Sequence, residues 1–244
     1  MGDVMLALAR TFDSLKSGRV WLYVLSPALL SLFLSFALAV WALGAVVQQM
    51  MAYPPMTTLS GWGLAWLAVA MAYLGGWMAI FAIAYLTASL LAAIAIMPLM
   101  LKHLAETEYS DVAAMGKDSF VAAAVNSVLA SIFFVVAWVA TIPLWLIPGF
   151  SLAIPLLLMA WLNRRTFAYD ALSMHATDTE WASIRKERKA QLFMLGLTMA
   201  LLAHIPVVGL LVPALAALSF VHYGLEALRR SRGGAIVTIA GERA

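Results

Sequence analysis

No cysteine occurs anywhere in the 244-residue chain, which excludes disulfides, thiolate metal sites and cysteine nucleophiles. Charge is nearly as scarce. Asp, Glu, Lys and Arg make up 11% of the residues, against about 25% in soluble domains. Catalytic signatures are missing too: there is no His-Glu-x-x-His and no Gly-x-Ser-x-Gly, and Gly116-Lys117-Asp118 lacks the flanking residues of a phosphate loop. The four histidines, His103, His175, His204 and His222, are scattered without metal-ligand spacing. The expectation is a protein that is not an enzyme and holds no metal or cofactor.

What fills the chain is apolar sequence, 64% of all residues. From Val20 to Leu101, 82 consecutive positions carry no Asp, Glu, Lys, Arg or His, while about 20 apolar residues cross a bilayer. At least two crossings lie there. The net charge of +3 and pI near 9.3 do not point to a nucleic-acid partner, because the basic residues flank apolar segments instead of forming a stripe on a polar domain.

The pattern predicts an all-α integral membrane protein, one domain over residues 1–244. Residues 3–17 form an amphipathic helix with Val4, Leu8, Phe12 and Leu15 on its apolar face and Arg10, Asp13 and Lys16 elsewhere. Asp3 and Asp13, and the want of a small-residue cleavage site, distinguish it from a signal peptide. Spanning helices follow over 20–50 and 62–101, joined by a charge-free Pro-Pro turn within Met51–Gly61. The second would be ~60 Å long at 1.5 Å per residue, twice the hydrocarbon thickness, so it tilts, kinks at Gly75-Gly76 or, the reading preferred, protrudes.

Two helical hairpins, 119–163 and 190–228, flank an aqueous loop from Arg164 to Lys189, and residues 231–244 form a mobile tail. In that loop, Thr177 to Glu180 is a capping box from which one helix runs past Arg185, Lys186, Arg188 and Lys189 into apolar sequence. Only 16 residues separate Lys189 from Pro206 and 12 separate Pro213 from Glu226, too few to cross, so this hairpin is predicted to be re-entrant. The depth of the first hairpin is left open. Fourteen of the fifteen Lys and Arg residues stand beside one set of loops and Met51–Gly61 has none, which puts both termini in the cytoplasm.

Candidate anion ligands are Arg19, then Asn163, Arg164 and Arg165 at the end of the first hairpin, with Asp170 as a local counter-ion. The hairpin tips add backbone amides at helix N-termini around Gly149, Ser151 and Gly209. His204 and Asn126 are intramembrane polar residues, read as a carbonyl-bonded imidazole near Pro206 and a helix-to-helix hydrogen bond. Glu226 with Arg229 and Arg230 has the spacing of a surface ion pair. The run from Arg185 to Lys189 is read as a solvated helix start.

The chain resembles the CysZ/EI24 family of bacterial sulfate permease-like membrane proteins. The resemblance rests on Leu25-Ser26-Pro27, Ile147-Pro148-Gly149, the stretch from Ala160-Trp161-Leu162-Asn163 to Asp170, and Ile205-Pro206-Val207-Val208-Gly209 with Val212-Pro213. It implies two long transmembrane helices plus two partly penetrating hairpins, assembled as a homo-oligomer in the bacterial inner membrane. It also implies passive conduction of sulfate or a related small anion toward the cytoplasm. In that family an arginine pair before the Leu-x-Pro motif contributes to sulfate binding, whereas Trp21 and Leu22 stand here. The alternative is a non-transporting scaffold or lipid-interacting membrane protein whose arginines are all anchors.

Overall fold

In hydrocarbon each backbone N–H and C=O must find its partner within its own segment, which makes uninterrupted apolar sequence helical. The computed structural model describes residues 2–116, 120–147, 149–205 and 208–233, and all regular structure among them is helical. Most of the expected tail, from residue 234 onward, lies outside the described residues, as do Lys117, Asp118, Pro148 and Pro206.

Among the described residues ten α-helices run in order: α1 Gly2–Ser14, α2 Gly18–Met51, α3 Met56–Gly61, α4 Ala65–Leu91, α5 Met97–Thr107, α6 Phe120–Ala140, α7 Phe150–Ser173, α8 Asp178–Glu187, α9 Lys189–Leu202 and α10 Val208–Ser231. Among the described residues four helical stretches are long and apolar enough to cross a membrane: Gly18–Met51, Ala65–Thr107, Val121–Ala140 and Val208–Ser231. The chain is an all-α, multi-pass membrane protein.

Several boundaries differ from expectation, each for a physical reason. The long second span is unbroken at Gly75-Gly76; its irregularity is a π-helical turn over Ala92–Ile96, immediately before Pro98, whose missing N–H and bulky ring a widened turn accommodates. The supposed loop from Arg164 is helical, since α7 continues to Ser173. The cap at Thr177 forms, with the Glu180 amide donating to Thr177 Oγ1 and the Thr177 amide donating to Glu180 Oε2 at 2.8 Å. The helix it starts stops at Glu187, because Arg188 leaves the helical region, and α9 begins anew. Pro213 does not end a helix; it sits inside α10, so that helix has 24 residues where a short one was expected.

The helices group into two compact units, residues 28–88 and residues 1–27 with 89–244. In the first, α4 buries a residue every four positions: Ala68, Ala72, Gly76, Ile80, Ala84 and Ala88. Small side chains at that spacing let helices approach closely. A Cβ on Gly75 would lie 2.5 Å from Met50 Cε, and one on Gly76 would lie 2.8 Å from Leu43 Cδ1. The outward faces carry Phe33, Phe36, Trp41 and Trp66, the surface that lipid covers.

In the second unit α10 is the centre, packed by α1, α5, α7, α8 and α9, with buried side chains from Val212 to Arg229. A helix apolar nearly all round belongs in a core. A close backbone approach joins α7 and α9, where a Cβ on Gly196 would lie 2.5 Å from the Ala160 carbonyl oxygen.

Candidate functional site

The amphipathic N-terminal helix turns a mixed face inward, with Leu8 and Leu15 packed partly against the core. Its buried residues are Val4, Ala7, Arg10, Thr11 and Ser14, while Met5 and Phe12 are more than 60% exposed. Where the surroundings are apolar, the polar face is the one that gains by turning inward.

Arg10 donates to Glu226 Oε2 at 2.8 Å and to the Tyr109 hydroxyl at 2.7 Å. The phenol hydrogen is then free to go to His222 Nδ1, 3.0 Å away. With that nitrogen accepting, His222 Nε2–H donates to Ser14 Oγ at 2.9 Å, and Ser14 donates to Glu108 at 3.2 Å. Beside this relay Ser219 donates to Thr11, whose own hydrogen goes to the Ala7 carbonyl at 2.8 Å.

Glu226 is the hub, not half of a surface pair. It is buried, as are Arg10 and Arg229, and it meets three guanidiniums: Arg10, Arg229 at 3.4 Å and Arg230 at 3.0 Å. Arg229 also pairs with Asp111 and stands 4.6 Å over the Tyr109 ring. Arg230 and Arg188 both reach Asp3; burial pushes that carboxyl up, but the two arginines hold it below its usual range. The arrangement satisfies buried charge at many points, a device for holding α1 on α10.

A second feature lies where α7, α8 and α9 meet. Arg164, Arg165, Arg185, Lys186 and Lys189 line an open concavity of about 570 Å³ with Ala168, Trp181, Ala182 and Leu192, and no carboxylate shares its wall. None of these five side chains joins an ion pair or hydrogen bond with described residues. A neighbouring concavity, also about 570 Å³, shares Arg164, Lys186 and Lys189 and adds Trp161, Ala190, Phe193 and one carboxylate, Glu187, which accepts from Ser183 Oγ at 2.7 Å. The expected counter-ion is absent from both. Asp170 is instead buried behind α6, accepting from Ser127 Oγ at 3.3 Å.

The other predicted residues are dispersed. Asn163 is buried and donates to the Gly196 carbonyl at 3.4 Å, which makes it part of the α7–α9 seam. Arg19 is exposed at the head of α2. Gly149 adopts φ +86° as the N-cap of α7, a conformation that suits glycine, and Ser151 is exposed in the first turn. The Gly209 amide is occupied, donating to the Ile205 carbonyl at 2.8 Å. His204 Nδ1 donates to the Ala200 carbonyl at 2.8 Å, an acceptor released because the His204 amide goes to Leu201. Asn126 donates to the Arg165 carbonyl at 3.1 Å and joins α6 to α7.

Outside the apolar helices one carboxylate is strongly perturbed. Hydrogen bonds from Arg232 bring Glu180 down to about 2 from 4.5, with burial opposing and Thr177 assisting. The stabilisation is complete above about pH 4.5 and is lost as pH falls toward 2. We expect amide-exchange protection of α8 to fall across that window, and Glu180→Gln to abolish the pH-dependent step. The same step in the variant would assign it to another carboxylate.

A family model described as sulfate transporter CysZ/etoposide-induced protein 2.4 matches residues 7–213. No curated protein and no solved structure matches the chain.

Proposed function

The chain belongs to the EI24 family, whose model covers residues 7–213, and from that premise we propose a permease for sulfate or a related small oxyanion. It sits in the bacterial inner membrane with both termini in the cytoplasm, works as a homo-oligomer, and moves the anion inward passively, with no catalytic step. The observation that carries the reading is the hairpin of α9 and α10. With 14 residues, α9 is about 21 Å long at 1.5 Å per residue, short of the ~30 Å hydrocarbon layer. A short apolar helix that turns back within the membrane brings the positive end of the next helix to a buried tip, a recurring way to receive anions. Arg19 supplies the full charge.

A second reading, a non-transporting scaffold, draws support from Trp21 and Leu22. Both are exposed apolar residues where the family resemblance calls for arginines. Labelled sulfate uptake into proteoliposomes separates the two, with an active family permease alongside. We expect saturable uptake that Arg19→Ala lowers at least tenfold at unchanged insertion, since a hydrogen bond to a charged group is worth about 1.5 kcal/mol or more. No uptake beside an active control would leave the scaffold reading.

A further inference from the structure

We propose that the double concavity between α7, α8 and α9 is a binding site for an acidic phospholipid whose headgroup carries two phosphodiesters. Five cations from three helices converge there, none is neutralised by a described partner, and the larger set has no carboxylate in its wall. Unpaired positive charge gathered in this way repels itself, and an anion lowers that cost. The question is which anion.

The form of the site answers it. A tetrahedral oxyanion stripped of water needs donors closing around one point, whereas each concavity here has about 570 Å³ and stands open. Arg164, Lys186 and Lys189 line both halves, so one row of cations faces two compartments. That suits two phosphates joined by a short bridge. The remaining wall is amphipathic: Trp161, Trp181 and Phe193 with the stems of the basic side chains, and in the second half Glu187, whose carboxylate is engaged by Ser183. Such rings belong at the headgroup level of a bilayer, and basic pockets between membrane helices bind lipid headgroups. The same helices carry exposed Leu157, Met194 and Leu201, apolar surface for the acyl chains. A nucleic acid or a free oxyanion has no use for that surface.

Arg19 and the hairpin tip, on which the permease reading rests, do not line the site, whereas Arg164 and Arg165, candidate anion ligands in the sequence, do. Native mass spectrometry of the delipidated full-length protein, titrated with diphosphatidylglycerol, phosphatidylglycerol or phosphatidylcholine, tests it directly. We expect diphosphatidylglycerol to be retained at least tenfold better than phosphatidylcholine and better than phosphatidylglycerol. Arg165→Gln with Lys186→Gln should remove that preference, and Arg165→Lys with Lys186→Arg should keep it. Positions this exposed leave the thermal melt unchanged. Equal retention of all three lipids, or an undiminished preference in the glutamine variant, would overturn the proposal. Displacement by millimolar inorganic sulfate or phosphate would overturn it as well and would identify a vestibule for free oxyanions.

Discussion

Glu226→Ala lowers the melting temperature of the purified protein by about 10 °C and sharply reduces the yield of folded material. The reason is the asymmetry of buried charge. Glu226 alone meets Arg10, Arg229 and Arg230, so its loss leaves three guanidiniums facing one another, two of them buried. Breaking a buried pair from one side costs about 3–5 kcal/mol, a large part of the 5–15 kcal/mol that holds a typical protein together. At 150–250 residues each kcal/mol corresponds to roughly 2–4 °C. Removing one guanidinium with Arg10→Met costs less, because the carboxylate keeps Arg229 and Arg230. Glu226→Gln falls between, retaining acceptor oxygens without the charge. A melt within about 2 °C of the parent for Glu226→Ala would show that this cluster does not hold the structure.

The second large effect belongs to Gly196→Ala. The added methyl meets the Ala160 carbonyl oxygen at 2.5 Å, and backbone inside a helix cannot rotate away as a side chain can. The helices α7 and α9 must move apart, stretching the bond from Asn163 to the Gly196 carbonyl. Overpacking of this kind costs about 1–3 kcal/mol. Because these helices also frame the basic concavity, the variant is expected to lose lipid retention along with stability. Gly75→Ala is the matched control: its methyl meets the flexible end of Met50 at a similar distance, and the melt should move much less.

The class of protein and most of its helices were legible because length and hydrophobicity are local properties. The cap at Thr177 was legible for the same reason, its partners being three residues apart. The ionic cluster was half legible. Asp3, Ala7, Arg10 and Ser14 follow steps of four, three and four, while Ser219, His222, Glu226 and Arg229 follow steps of three, four and three. Apart from the small Ala7, each is a polar stripe along one helical face. What hid their pairing was the reading of α1 as an amphipathic helix by its apolar face of Val4, Leu8, Phe12 and Leu15, which says nothing of what its polar side meets. Phe12 faces outward, and the two polar stripes find each other. The basic concavity needed tertiary information of another kind. Arg164 and Arg165 stand about 20 positions before Arg185 to Lys189, and they meet only because α7 runs on to Ser173 and the chain then reverses into α8. The same extension carried Asp170 away from the arginines it was expected to neutralise.

The clasp between α1 and α10 also has a consequence in time. Arg10 and Glu226 are 216 positions apart, and a ribosome adding about 5–20 residues per second takes roughly 10–40 s to travel that distance. Throughout that interval the nascent chain displays a guanidinium whose carboxylate does not yet exist, so α1 has to wait in water or among headgroups while the spans after it insert. Its docking is therefore the final act of assembly, and a chain that stops short of Glu226 never hides Arg10. Closure of this clasp reports that synthesis has reached Glu226.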